Sequence, residues 1–268
     1  MSEDALRRLK QSAVAEHSRK AAEFAERYSR LNVDPYESCF AYSRHRLQKV
    51  MERLLPERGE GLGLLDVGCG TGHHLARLRQ QGFEVAGLDG SQEMVSLARA
   101  NNPGVVIRQG DVEALPFLSG GFDVVLCVEV LRYLPGLSEC LQEMARVLKP
   151  GGLCLATATP VLNLNGYWLI NRLASRFSMP GLTRLRQAFF TSSRLRREFE
   201  AAGFERPRVH GVYFGPVNWV ERLAPRVAPA FLRRWERLDS RVADRPGFRE
   251  LSNMFLVHAV RGGGAVSR

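Results

Sequence analysis

The chain of 268 residues has no run of the ~18 apolar residues that a membrane-spanning helix needs, so an integral membrane protein is not expected. Its first residues, MSEDALRRLKQSAVAEHSRK, lack the apolar core of a secretory signal. Cysteine is sparse. Cys39, Cys69, Cys127, Cys140 and Cys154 are an odd number with no C-x-x-C pair. That speaks against a disulfide framework or a zinc site and points to a reducing cytoplasm. Internal repeats are missing, and the only low-complexity tract is the short tail Gly262–Gly264. Lysine is missing from the last 108 residues, where, histidine aside, every basic residue is arginine. What is present is an ordinary globular composition, 45% apolar and 25% charged, at a length that suits one α/β domain carrying an insertion. The net charge of +10 is uneven: residues 1–160 sum to −1 and residues 161–268 to +11.

Helical spacing runs through residues 5–30, with Ala13, Ala21, Phe24, Ala25 and Tyr28 on one side. Pro35 opens a second helix that carries Phe40, Leu47, Val50, Met51 and Leu54. From Gly63 the rhythm becomes strand–helix. Strands are expected at 63–67, 84–88, 105–109, 122–128 and 153–159, and helices at 72–81, 91–100 and 137–148. That alternation means βαβ units in a doubly wound parallel sheet. After Pro160 an aromatic and basic stretch, 161–190, interrupts it. A helix (192–202) and a strand (208–214) follow, then a long helical stretch, 217–243, and a last strand, 253–260.

The run Asp66-Val67-Gly68-Cys69-Gly70-Thr71-Gly72 is a strand end, a tight turn and a helix start. Its glycines allow a sharp turn and close approach of a ligand, and the helix beyond offers free N–H groups. The spacing is D-x-G-x-G-x-G rather than the dinucleotide G-x-G-x-x-G, whose third glycine would fall at His73. Asp66 would repel a pyrophosphate but suits an ammonium group. Asp89, at the end of the second strand, can accept both hydroxyls of a ribose. Asp111 can accept from an exocyclic amine such as that of adenine, with Val112 against the ring. Together these recognise an amine, a ribose and an adenine, without a phosphate cradle.

Five segments in this order resemble the successive motifs of the class I S-adenosylmethionine-dependent methyltransferases. They are Asp66–Gly72, Leu88–Ser91, Gly110–Phe117, Phe122–Val125 and Arg146–Gly152. The small-molecule branch related to the ubiquinone and menaquinone methyltransferases is the one they resemble most. The resemblance covers roughly residues 60–160. It implies a Rossmann-like, seven-stranded α/β sheet whose last strand is antiparallel, with helical insertions after strands five and six. Residues 1–58 would be an N-terminal helical cap and 59–268 the transferase domain. With S-adenosylmethionine as cofactor, Asp66, Gly68 and Gly70 would hold its methionine part and Asp89 its ribose. Asp111 and Val112 would bind the adenine, which Met94, a core residue, would border. Val128 and Glu129 would face the sulfonium. Tyr28, Tyr36, Tyr42 and Arg44 lie on helices that often cover the cofactor in this family.

Two candidate catalytic side chains stand out. His73 is either a base or a capping or solvated histidine. Tyr133 stands where the family often has histidine, and either orients the acceptor or packs. No metal-ligand cluster is legible, so a magnesium-assisted reaction is not expected. In-line displacement needs chiefly alignment and exclusion of water. The fourth strand ends Cys127-Val128-Glu129-Val130, without the Asn/Asp-Pro-Pro-Tyr/Phe mark of amide or base methylation. A small-molecule or lipid-like acceptor methylated at oxygen or carbon is expected. The stretches 161–190 and 217–243 would be a lid over an apolar or anionic acceptor, a peripheral membrane-binding element, or an RNA-binding element, in that order, ahead of a plain packed face. The alternatives outside this class are an RNA methyltransferase and a non-catalytic cofactor-binding module.

Overall fold

The structure is a computed structural model and describes residues 3–29, 34–134, 136–166, 168 and 188–263. Three helices open the chain: α1 (Glu3–Arg19), α2 (Ala21–Ser29) and α3 (Cys39–Leu54). The alternating part then runs β1 (Gly63–Val67), α4 (His73–Gln80), β2 (Glu84–Asp89), α5 (Gln92–Asn101), β3 (Val106–Gln109), β4 (Phe122–Cys127), α6 (Ser138–Val147) and β5 (Leu148–Ala158). It closes with α7 (Ser192–Ala201), β6 (Phe204–Phe214), α8 (Val217–Leu223), α9 (Ala228–Val242) and β7 (Ser252–Arg261). Among the described residues the strands form one seven-stranded sheet in the order β3-β2-β1-β4-β5-β7-β6. β1 is parallel to β2 and β4, and β7 is antiparallel to both β5 and β6. The fold is the Rossmann-like doubly wound one that the sequence pattern predicts.

The central strands are apolar on both faces because helices cover both. Alternate residues of β4 point into opposite layers. Val125 and Cys127 join one core with Leu141 and Met144 of α6 and Phe199 of α7. Val124 and Leu126 join the other, with Tyr42, Leu47 and Met51 of α3 and Leu232 of α9. The strand order reverses between β1 and β4. There the carboxyl ends of neighbouring strands leave a crevice in which sheets of this kind bind ligands.

Several boundaries differ from the pattern. The helix expected over 5–30 breaks at Lys20, whose N–H is shared between the Glu16 and His17 carbonyls. The second helix starts at Cys39 rather than at Pro35, because Ser38 accepts from the Ala41 N–H and caps it. The stretch 217–243 is two helices. Pro225 lacks an N–H and separates α8 from α9. β6 begins at Phe204, and Arg206 takes a positive φ of 50° where its pairing with β7 shifts register. Of the aromatic stretch after Pro160, Tyr167, Leu169, Ile170, Leu173 and Phe177 lie outside the described residues.

A buried polar cluster ties the beginning of the chain to its end. Asp239 of α9 is fully buried. One oxygen accepts from the Tyr42 hydroxyl and from Arg46 Nε at 3.0 Å, the other from the Phe214 N–H at 2.7 Å. Beside it Glu236 accepts from the Tyr36 hydroxyl and pairs with Lys49 at 2.9 Å. Asp239→Ala would leave the Tyr42 hydroxyl and Arg46 Nε buried without their acceptor, with Arg46 keeping only Glu236 at 3.6 Å. It is expected to lower the unfolding free energy in urea by about 3–5 kcal/mol. A loss below about 1 kcal/mol would show that the cluster does not hold α9 to α3.

Candidate functional site

The turn after β1 is shaped by local contacts. The N–H groups of Gly68 and Cys69 both donate to the Leu88 carbonyl, at 2.7 and 2.9 Å. Asn101 and Asn102 of α5 donate to the Thr71 and Gly72 carbonyls. Gly68 has a φ of 78°, and a Cβ there would stand 2.2 Å from Val130 Cγ2. Gly70 has a φ of 53°, and a Cβ there would point into open space. The first glycine is therefore forced by packing, and the second leaves an open cradle.

Asp66 lies beneath this turn, 1% exposed. Among the described residues neither of its oxygens has a hydrogen-bond partner. Burial, with the Asp89 charge nearby, pushes its pKa up to about 8. Asp89 is better supported. One oxygen accepts from the Gly70 N–H and the other from the Ser91 N–H, both at 2.9 Å. Each oxygen keeps acceptor capacity. Ser91 caps α5, so one residue turns β2 into its helix and fixes the carboxylate.

A cavity of about 1740 Å³ opens over the carboxyl ends of β1, β2 and β4. Gly68, Gly70, Asp89, Met94, Asp111, Val112, Val128, Glu129 and Tyr133 all line it. Asp66, buried near the end of β1, is not among the lining residues. His73 is not among them either. It starts α4 with its ring 5.0 Å from that of Tyr28, and burial together with Arg77 and Arg44 lowers its pKa. Its neighbour His74 is half-buried, and desolvation holds its pKa at about 3. Tyr133 does line the cavity, edge-on to His17 at 4.9 Å, and burial raises its pKa. Of the helix residues singled out, Tyr28 and Arg44 reach the cavity, whereas Tyr36 and Tyr42 face α9.

Two features of this cavity have no counterpart in the sequence reading. Lys10 of α1 pairs with Asp111 at 2.6 Å and with Glu113, so the carboxylate expected to meet an amine already meets one. Arg44 is held inside with Glu129 at 3.5 Å from one nitrogen. Its Nε and Nη1 are buried and have no partner among the described residues. Glu129 has a φ of 63°, a strained conformation for a non-glycine residue. It is fixed by its N–H donating to Thr157 Oγ1 at 2.7 Å. Burial opposes its charge, but Arg132 and Arg44 outweigh burial and hold its pKa below the usual range. No short sequence signal announces either pair, since Lys10 and Asp111 are 101 residues apart.

The crevice thus holds an incompletely paired guanidinium, an open glycine turn and a carboxylate, Asp89, fixed at the end of β2, and the unpaired buried acid Asp66 lies at the strand end before that turn. Residues 65–156 match the family model described as a methyltransferase domain. The chain is 32% identical to the demethylmenaquinone methyltransferase of Staphylococcus aureus over 209 residues, 69% of this chain and 83% of the relative. It is 39% identical to the Bacillus subtilis protein YqeM over 114 residues, and there spans only 45% of the relative's length. Among solved structures, an S-adenosylmethionine-dependent methyltransferase of Thermotoga maritima superposes with a TM-score of 0.61 at 20% identity. That match covers 91% of this chain and 97% of the other, and speaks for the fold.

The raised pKa of Asp66 has a consequence for stability. Folded, it loses its proton near pH 8; unfolded, near the ordinary value of about 4. Between these values the native state holds the extra proton, so stability through this group is full at low pH and erodes as pH rises to about 8. Asp66→Asn does not titrate. In scanning calorimetry of the unliganded protein it should melt several degrees above wild type at pH 8, with the gap closing toward pH 5. A gap that does not change with pH would contradict this assignment.

Proposed function

The chain belongs to the class I S-adenosylmethionine-dependent methyltransferases, and on that premise we propose that Asp66 and Arg44 grip the two ends of the cofactor's amino-acid part. The protein transfers a methyl group from S-adenosylmethionine to a small molecule. The observation that carries the proposal is the pair of unsatisfied buried groups. A carboxylate without a donor matches an ammonium, and a guanidinium without a full set of acceptors matches a carboxylate. Gly68 and Gly70 let the chain approach, Asp89 accepts from the ribose hydroxyls, and Met94 and Val112 flank the adenine. Asp111 serves the adenine amine once Lys10 yields. Val128 and the strained Glu129 frame the reacting end of the cavity.

When bound, the cofactor supplies an electrophilic methyl group on a positively charged sulfur. The protein's part is to align an acceptor with it and to exclude water. Tyr133 keeps its phenolic proton and orients the acceptor by hydrogen bonding. His73 is set behind Tyr28 and does not reach the acceptor, so the base assigned to it from sequence is not part of this reading. In-line displacement onto an oxygen or carbon that arrives already nucleophilic suits such a site. Residues 1–58 act as the cap of a transferase domain, 59–268, whose insertions 161–190 and 217–243 recognise the acceptor. A lipid-like acceptor, reached from a membrane surface, fits the apolar and arginine-rich character of those insertions.

Calorimetry with S-adenosylhomocysteine tests the grip. Wild type should bind, and Asp66→Asn, Arg44→Met and Asp89→Ala should each weaken binding by about tenfold or more. Wild-type binding that is undetectable, or unchanged in Asp66→Asn and Arg44→Met, would overturn it. The acceptor class is read from incubation of methyl-labelled donor with fractionated cell extract. Label is expected in the lipid or small-molecule fraction. Label confined to RNA, or binding with no transfer at all, would refute that part of the proposal.

A further inference from the structure

Of the +11 of the last 108 residues, α8, α9 and the turn that follows (217–249) carry +4, from eight arginines and four acids. Their acidic residues are all engaged, Asp239 fully buried and Asp244 at the surface. Glu221 accepts from the Cys39 N–H, Glu236 and Asp239 bind α3, and Asp244 holds His210 and Arg249. Their arginines point outward. Arg222, Arg226, Arg234, Arg237, Arg241 and Arg245 are exposed, and none forms an ion pair among the described residues.

Large apolar residues stand among these arginines. Leu223 is 78% exposed, Val227 57%, Leu238 47% and Phe248 44%. Along α9 the positions Val227, Ala230, Arg234, Leu238 and Arg241 recur at helical spacing, so cations and aliphatic chains share one stripe. Val227, Ala230, Leu238 and the half-buried Phe231 and Trp235 line a shallow groove there. Behind it the helix is firmly seated. Trp235 donates its indole N–H to the Phe214 carbonyl at 2.8 Å, and Leu232 is fully buried. The stripe is thus the surplus left after the packing face is satisfied.

We propose that this α8–α9 face docks on an anionic lipid bilayer. Such a surface offers both things the stripe needs, phosphate headgroups for the guanidiniums and an acyl layer for Leu223, Val227 and Leu238. A second copy of the chain fits worse, because a self-complementary contact would bring six unpaired arginines against themselves. RNA fits worse too, because the most exposed apolar side chains among the arginines, Leu223, Val227 and Leu238, are aliphatic and give bases little to stack on. No described helix is long and apolar enough to cross a membrane, so the contact is peripheral. The two helices behind this face are tied to neighbouring elements. The Asn218 N–H of α8 donates to Asn165 Oδ1 of the segment after β5, and Asp239 holds α3, which carries Arg44. The inference does not depend on methyl transfer; its failure would leave the cofactor grip standing.

Co-sedimentation with sucrose-loaded vesicles tests it on the full chain. At about 0.1 M salt the protein should pellet with vesicles of equal parts phosphatidylglycerol and phosphatidylcholine, and stay in solution with phosphatidylcholine alone. Arg234→Gln with Arg241→Gln, and separately Leu223→Ser with Leu238→Ser, should each weaken the binding by about tenfold or more, at wild-type melting temperature. Should either pair fold poorly, Arg222→Gln with Arg226→Gln on α8 is read in the same way. Emission of Trp219, which is 39% exposed, should shift to the blue on the anionic vesicles. No pelleting with phosphatidylglycerol, undiminished binding of the folded variants, or a short single-stranded RNA binding more tightly than the vesicles would overturn the proposal.

Discussion

Asp66 ends a central strand with its carboxylate buried and neither oxygen satisfied among the described residues. An isolated charge in such a place is costly, and the group responds by holding its proton to about pH 8. The surroundings keep it that way. Gly68 leaves no room for a side chain beside Val130, the N–H groups of Gly68 and Cys69 are spent on the Leu88 carbonyl, and Asp89 adds repulsion from the next strand. A stability penalty maintained by so many neighbours reads as a site prepared for a cation, and strain or unsatisfied polarity of this kind gathers where binding energy is to be released.

The other end of the grip depends on packing far from it in sequence. Arg44 reaches the cavity because α3 is packed on one face of the sheet and fixed there, with Tyr42 and Arg46 bound to Asp239 nearly two hundred residues later. The last third of the chain therefore does two jobs. Its inner face positions Arg44, the residue proposed to hold the cofactor's carboxylate, and its outer face carries the unpaired arginines. The uneven charge of the chain is a property of that outer face, whereas the recognisable side chains of the cofactor site are mainly carboxylates.

What could be read from sequence was what local spacing encodes. The bounds of β1 and the cap of α5 at Ser91 are as the pattern predicts, because an apolar run ending in glycines and a serine before a helix act within a few residues. Asp66, Asp89 and Asp111 converge because parallel strands bring their carboxyl ends together, a consequence of topology that the βαβ rhythm already implies. The pairs Lys10–Asp111, Arg44–Glu129 and Tyr42–Asp239 join residues on separate elements, and no periodicity reports them. Lys10 changes the reading of Asp111, from a free acceptor to one shared with a lysine. His73 shows the opposite limit. Its place next to the glycine turn made it a candidate base, and the first turn of α4 sets its ring 5.0 Å from Tyr28, which lines the cavity, while His73 itself is not among the lining residues. The break between α8 and α9 was legible in Pro225, but the apolar spacing on either side of it runs through without interruption.

The carboxyl carbon of Asp66, followed by carbon-13 NMR as pH is varied, reports the central claim most directly. In the unliganded protein its titration should have a midpoint near 8. With S-adenosylhomocysteine saturating, the ammonium it pairs with should pull that midpoint below about 5. A midpoint at the ordinary value of about 4 in the unliganded protein, or one that stays put when the ligand binds, would contradict the account.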